Sequence, residues 1–421
     1  MDKLIIKGGK KISGRLKVCG AKNAVLPILA ATMLTDKTVV LFNCPEISDV
    51  DSMIDILCGM GCKVNKQGEK IIINTSHANT YIMPEAESKK MRSSIFMLGP
   101  LLARYSKVVA VYPGGCDIGA RPIDLHLEGL KQMNVTVTES DGKIMCDGSN
   151  MKPANIHLKF PSVGATENLM MAAAYLDGIT RIENAACEPE IVDLQMFMRE
   201  LGINVTGAGT DVICVEGSNQ TTEKEVEFEI MPDRIVAGTL LCAAAITGGN
   251  VILDNANPND LNSVLKVLEQ MGCSIECNDN TIKLNAPSIL KGIKKIETNP
   301  YPGFPTDMQA LILALCCVAD GKSEITENLY ENRFRHIPEL RKMGADIYLN
   351  DRTAILNGKK LYGSQVSACD LRAGAALIIA GLAADGTTVV SDVDKYVDRG
   401  YNHIETMLCR LGADIVRLEG E

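Results

Sequence analysis

Leu340-Arg341-Lys342-Met343-Gly344-Ala345-Asp346-Ile347 reads as the last turn of a helix, a glycine that ends it, and the start of a strand. Leu408-Cys409-Arg410-Leu411-Gly412-Ala413-Asp414-Ile415 repeats that pattern, as does Leu268-Glu269-Gln270-Met271-Gly272-Cys273-Ser274-Ile275. Upstream it returns as Leu57-Cys58-Gly59-Met60-Gly61-Cys62-Lys63-Val64, Leu130-Lys131-Gln132-Met133-Asn134-Val135-Thr136-Val137 and Leu201-Gly202-Ile203-Asn204-Val205. The turn positions 61, 134, 202, 272, 344 and 412 lie 68 to 73 residues apart. Self-similarity at a fixed period marks a repeat architecture, and six such units fill the chain.

Working outward from each turn, every unit carries a run rich in Ala, Leu and Met: 24–33, 91–103, 163–176, 235–246, 308–318 and 371–383. Runs without a polar face predict buried helices. A β-branched strand follows, as in Thr38-Val39-Val40-Leu41 and Thr387-Thr388-Val389-Val390, and then an amphipathic helix. Strand, helix, strand and helix in that order define an α/β unit, and three units per domain predict two similar domains with a cleft.

With 421 residues, 46% hydrophobic and 23% charged, the composition is that of a globular protein. The start, Met1-Asp2-Lys3-Leu4-Ile5-Ile6-Lys7, has no apolar segment of signal-peptide length, and the longest apolar runs fall short of a bilayer span. A cytoplasmic protein without membrane insertion is expected. The 15 cysteines show no CxxC pair and the five histidines no ligand spacing, which predicts reduced thiols, no metal and no cofactor. Net charge −9 argues against nucleic acid, so anionic ligands require a few focused cations. Oligomeric state is not legible in the sequence.

The repeat register supplies those cations. At the starts of the six buried helices stand Lys22-Asn23, Arg92, Ser162, Asp233-Arg234, Thr306-Asp307 and Asp370-Leu371-Arg372. Ser162, Thr306 and Asp370 read as N-caps, and Thr306 with Gln309 fits a capping box. Capping does not explain Lys22, Arg92 and Arg372, because a cation at a helix start opposes the dipole and needs an anion to hold it. A second set of equivalent loops carries Cys116 to Arg121, Glu188-Pro189-Glu190, Asn257 to Asp260, Glu331-Asn332-Arg333 and Asp398-Arg399-Gly400-Tyr401. The first of these, Pro113-Gly114-Gly115-Cys116-Asp117-Ile118-Gly119-Ala120-Arg121-Pro122, sets a thiol among glycines beside an arginine, a combination that favours a reactive thiolate. A P-loop is excluded because Cys316 stands where the first glycine before Gly321-Lys322-Ser323 must be.

End to end, these residues resemble the enolpyruvyl transferase family, and within it the UDP-N-acetylglucosamine 1-carboxyvinyltransferases. The resemblance runs through Gly20-Ala21-Lys22-Asn23-Ala24, Met91-Arg92-Ser93-Ser94-Ile95, Pro113 to Pro122, Ser162-Val163-Gly164-Ala165-Thr166, Glu188 to Asp193, Phe304-Pro305-Thr306-Asp307-Met308-Gln309 and Asp398-Arg399-Gly400-Tyr401. It implies a two-domain inside-out α/β barrel of six βαβαββ repeats: 22–230, and 1–21 joined to 231–421. It implies transfer of the enolpyruvyl group of phosphoenolpyruvate to the 3′-hydroxyl of UDP-N-acetylglucosamine, with loss of phosphate, at the start of peptidoglycan synthesis.

By the same resemblance Lys22, Arg121 and Arg399 hold phosphoenolpyruvate, with Asp370 and Arg372 nearby. Cys116 is the proton donor, able also to form a covalent phosphothioketal and open to fosfomycin-like epoxides, and Asp307 is the candidate base. The nucleotide sugar is expected along Asn23, Arg92, Arg121, Pro122, Ile123, Asp124, Leu125, Ser162, Val163, Gly164, Asp307 and Leu329. Two departures from the family pattern are Cys187, where a basic residue is common, and Leu329, where valine is common. The alternatives are 3-phosphoshikimate 1-carboxyvinyltransferase, whose family lacks the cysteine loop, and a non-catalytic nucleotide-sugar sensor, in which Cys116, Asp307 or Arg399 would be lost.

Overall fold

The computed structural model describes residues 1–114, 123–218, 222 and 224–420. Its chain forms two compact units, one from 1–19 and 232–420 and the other from 20–114 and 123–231. Each holds three repeats. In the fifth repeat, Thr306–Cys316 is the buried helix, Lys322–Thr326 the strand after it and Ile337–Lys342 the second helix. The hairpin Asp346–Asn350 with Thr353–Asn357 follows, and its second strand runs antiparallel to Lys322–Thr326.

The turn before each hairpin explains the six-fold signature. Gly61, Asn134, Gly202, Gly272, Gly344 and Gly412 all have positive φ, from 66° to 99°. That conformation ends the helix at little cost for glycine, and asparagine tolerates it where the second repeat lacks glycine.

Each sheet adds a strand from outside its own hairpin. Ile296–Glu297 lies parallel to Lys322–Thr326, and Gln365–Ser367 parallel to Thr387–Ser391. Ser13–Lys17 joins Asn250–Asp254, and Val226–Glu229 joins Thr38–Phe42. Asn155–His157 likewise lies parallel to Gly178–Glu183, so five sheets among the described residues have four strands; in the second repeat the addition shrinks to a bridge between Ile82 and Val109, leaving three. Lys3–Lys7 pairs antiparallel with both Thr387–Ser391 and Asp414–Leu418, so the N-terminal strand completes the last repeat's hairpin.

The Ala-rich helices Arg234–Ile246, Thr306–Cys316 and Leu371–Ala383 pack on one another at the centre of their unit, with the sheets outside. In the other unit Leu98–Tyr105 packs on Val163–Ala172. Small side chains let these helices approach closely, and the sheets shield them. This is the inside-out α/β barrel. Two local expectations fail. The run 91–103 opens as a 3-10 helix over Arg92–Met97 and becomes α-helical only at Leu98. The run 163–176 is not wholly apolar: Thr166, Glu167 and Asn168 are buried in it.

No helix among the described residues is long and apolar enough to cross a membrane. Every described cysteine is free.

Candidate active site

Asp307 is the second residue of the helix Thr306–Cys316, and both of its oxygens are engaged. Arg333 Nη2 donates to Oδ1 at 2.7 Å and Arg372 Nη2 to Oδ2 at 3.2 Å. The guanidinium groups are almost fully buried, whereas the carboxylate keeps 28% of its surface. Two cations within ion-pair distance fix it in place.

Arg372 follows Asp370, whose Oδ1 caps the helix Leu371–Ala383 by accepting from the N–H groups of Arg372 and Ala373, each at 2.9 Å. The cap fixes where that guanidinium begins. Its Cζ lies 5.3 Å from the ring centre of Tyr401, and the Tyr401 hydroxyl meets the Thr239 hydroxyl at 2.9 Å. Arg372 Nε and Nη1 are buried without a hydrogen-bond partner among the described residues.

In the sequence Arg333 reads as one of the loop arginines and not as a ligand contact; its salt bridge to Asp307 makes it part of the cluster. The capping box expected at Thr306 and Gln309 does not form. Pro305 occupies the cap position, Thr306 is already helical, and its hydroxyl donates to Glu327 Oε2 at 2.8 Å. The Gln309 side chain is buried without a partner among the described residues.

In the other unit, Lys22 begins its helix with Nζ 2.7 Å from Asp49 Oδ2, both side chains being nearly buried. The anion demanded by a cation at a helix start is thus Asp49. Ser162 caps Val163–Ala172, accepting from Ala165 N at 3.4 Å. A Cβ on Gly164 would come within 3.1 Å of His126 Cε1, so glycine lets the imidazole close on that helix start. His126 Nδ1 lies 2.8 Å from Asn168 Nδ2, which also donates to Ile95 O at 2.9 Å within the Arg92–Met97 turn. Burial, with help from Arg92, pushes the His126 imidazole down to about 3, so it is neutral there.

Ile123 is buried just before the helix Asp124–Gln132, while Asp124 is exposed and Leu125 half-buried. Cys116, Arg121 and Pro122 lie outside the described residues. Arg399 sits in the loop between Val393–Tyr396 and Ile404–Arg410, next to an Asp398 tied to Arg417.

The repeat fold is that of the enolpyruvyl transferases. The sequence profile of the EPSP synthase (3-phosphoshikimate 1-carboxyvinyltransferase) family matches residues 6–408. The fold is that of the enolpyruvyl transferase NikO from Streptomyces tendae, with a TM-score of 0.87 at 23% identity over 99% of this chain and 98% of that one. It is also that of EPSP synthase from Acinetobacter baumannii, with a TM-score of 0.74 at 18% identity over 99% and 100% of the two chains.

Sequence relatives narrow the class. UDP-N-acetylglucosamine 1-carboxyvinyltransferase 2 of Caldanaerobacter subterraneus is 48% identical over 99% of this chain and all of its own length. UDP-N-acetylglucosamine 1-carboxyvinyltransferase 1 of Carboxydothermus hydrogenoformans is 48% identical over 100% and 99%. The enzyme of Geotalea uraniireducens is 46% identical over both full lengths. The chain belongs to the UDP-N-acetylglucosamine 1-carboxyvinyltransferase family.

Proposed function

We propose that the protein transfers the enolpyruvyl group of phosphoenolpyruvate to the 3′-hydroxyl of UDP-N-acetylglucosamine and releases phosphate, a cytoplasmic step of peptidoglycan assembly. The observation that carries this reading is Asp307 clamped between the buried side chains of Arg333 and Arg372, in a family of full-length relatives 44–48% identical.

The chemistry divides among the residues as follows. The sugar hydroxyl loses a proton as its oxygen bonds to C2 of phosphoenolpyruvate, while the methylene carbon gains one, giving a tetrahedral ketal. The ketal then loses a methyl proton and the C2–O bond to phosphate. Asp307 faces the hydroxyl in this reading. A carboxylate stabilised by two arginines is a weak base, so orientation of the hydroxyl is its main contribution. Cys116 supplies the proton to the methylene carbon, and its acidity is set by Arg121 against Asp117. Lys22, Arg121 and Arg399, with Arg372, take the phosphate and carboxylate; arginine suits such groups through its bidentate fork. Asn23, Arg92, the 121–125 segment, the 162–164 segment and Leu329 are assigned to the nucleotide sugar.

The deciding assay is phosphate release. Turnover is expected with phosphoenolpyruvate and UDP-N-acetylglucosamine together and with neither alone; equal turnover with shikimate 3-phosphate would refute the substrate assignment. Cys116→Ala is expected to lose on the order of 10²-fold in rate, the usual scale for a general acid. Activity in Cys116→Asp would show that proton donation, and not covalent attachment, is what the reaction needs. Fosfomycin should label Cys116; labelling confined to other cysteines would count against an activated thiol there.

A further inference from the structure

Glu327 directly follows the strand Lys322–Thr326 and is fully buried. Its Oε1 accepts from the Thr298 hydroxyl at 2.9 Å and from the backbone N–H groups of Leu329 and Tyr330 at 2.8 and 3.1 Å. Its Oε2 accepts from the Thr306 hydroxyl at 2.8 Å. Thr298 is itself set from the other side, accepting from Asn328 N at 2.9 Å while its carbonyl accepts from Asn328 Nδ2 at 3.1 Å. Among the described residues no lysine or arginine pairs with Glu327, so four neutral donors stand in for the water it has lost.

A buried acid without a counter-ion is a costly way to fill space, and an apolar side chain would fill it at lower cost. What the carboxyl does that a hydrocarbon cannot is gather donors from three separate pieces of chain. One is the start of the helix bearing Asp307; another is the 329–330 backbone; the third is the strand Ile296–Glu297 through Thr298. The grip extends one residue further, because the Thr306 carbonyl accepts from Arg333 Nε and Nη2, both at 3.4 Å. Glu327 also explains why Thr306 fails to cap its own helix.

We propose that Glu327 is a positioning residue. Through the Thr306 hydroxyl it fixes Asp307 and Arg333, and through the backbone of Leu329 it fixes the sugar contact in the same frame. The proposal rests on the reading above, in which Asp307 faces the reacting hydroxyl and Leu329 the sugar.

Steady-state kinetics on Thr306→Val, Glu327→Gln and the double variant test it. Thr306→Val keeps the β-branched shape and removes the hydroxyl; kcat should fall about tenfold, with KM for UDP-N-acetylglucosamine little changed. Glu327→Gln should lower kcat about as much and also raise that KM about tenfold, because the Leu329 anchor weakens too. The double variant should be no slower than Glu327→Gln alone, since both changes break one link. Unchanged kcat in folded Thr306→Val, or losses that multiply in the double variant, would overturn the proposal. A lowered melting temperature with wild-type kinetics would make Glu327 scaffold and also overturn it. If the wild-type protein fails to release phosphate from the two substrates, the functional reading falls and takes this assignment with it; turnover in wild type with unperturbed variants removes the positioning role alone.

Discussion

Asp398 and Arg417 form a two-point salt bridge, Oδ1 accepting from Nη2 and Oδ2 from Nη1, each at 2.8 Å. Arg417 Nε and Nη2 also donate to Glu405 at 2.8 and 3.1 Å, and Nη1 to Asp2 at 3.1 Å. One guanidinium thereby ties together the loop of Arg399, the helix Ile404–Arg410, the strand Asp414–Leu418 and the chain start. Arg417→Ala would leave three carboxylates facing one another, and a loss of roughly 3–5 kcal/mol is expected in chemical denaturation, the scale for breaking a mostly buried pair. Arg417→Lys keeps the charge but not the fork and should recover part of it. Wild-type stability in the alanine variant would show that the network carries no weight. The pH dependence has a definite sign. Burial pulls the Glu405 carboxyl upward, but the hydrogen bonds and charge of Arg417, together with hydrogen bonds from the backbone and His403, hold the group below its ordinary value. Its contribution is full above the ordinary carboxylate range and is lost as pH falls through the lowered value, a loss that Arg417→Ala should diminish.

The clamp on Asp307 predicts unequal effects of its members. Asp307→Asn keeps the shape, removes the charge that Arg333 and Arg372 face, and is expected to lose at least about 10²-fold in kcat. Arg333→Lys retains the positive charge but cannot make the hydrogen bonds to Asp307 and the Thr306 carbonyl together, so a smaller loss, about tenfold, is expected. Equal rates for Arg333→Lys and wild type would place Arg333 outside the working site.

Gly20 precedes the segment that carries Lys22, and a Cβ added there would meet Asn43 O at 1.7 Å. The clash is with backbone, and Asn43 is itself held by its Nδ2 donating to Ile230 O at 2.8 Å. Gly20→Ala should therefore be destabilised by several kcal/mol, about 3 or more, or fail to accumulate folded. A melting temperature equal to wild type would show that the Asn43 turn yields easily.

The repeat grammar made the architecture readable because each unit needs positive φ at one address, and glycine or asparagine there is visible in one dimension. Asp233 and Asp370 as helix caps were equally visible, since a capping oxygen acts within three residues. Long-range partners were not. Asp49 holds Lys22 from 27 residues away, and Glu327 draws off the Thr306 hydroxyl from 21 away, so local capping rules misread that helix start. A recurrent device joins the central strands to their parallel neighbours. Asn43, Asn184, Asn255 and Asn328 each follow a central strand and donate Nδ2 to a carbonyl of the neighbouring parallel chain, at Ile230, Leu158, Val18 and Thr298. The signal was an asparagine recurring at one repeat address, but its partner lies 26 to 30 residues back in the same repeat for Asn184 and Asn328, at the far end of the unit for Asn43 and near the chain start for Asn255, and periodicity alone does not reveal it.

Two histidines make acid a specific threat to this fold. Burial pushes His336 down to about 4, with Arg333 helping and Asp370 opposing, and burial with Arg92 pushes His126 to about 3. In the unfolded chain both titrate near 6.5. Because the folded values are depressed, the unfolded state binds protons first as pH falls: full stability holds above about 6.5 and is lost progressively toward 4 and 3. At pH 5 each imidazole is still neutral in the folded state, so the loss depends on the unfolded value alone and amounts to about 2 kcal/mol per histidine. Between pH 7 and pH 5 the two imidazoles together therefore withdraw several kcal/mol from wild-type stability, a share that denaturant melts of histidine variants at the two pH values isolate from the opposing contribution of buried Glu167. In His336→Asn, which has no proton to gain, that share should shrink by about half. Imidazole resonances of His126 and His336 that titrate near 6.5 in the folded protein would refute the assignment, because a ring that takes up its proton there has found water or a partner that the buried positions do not provide.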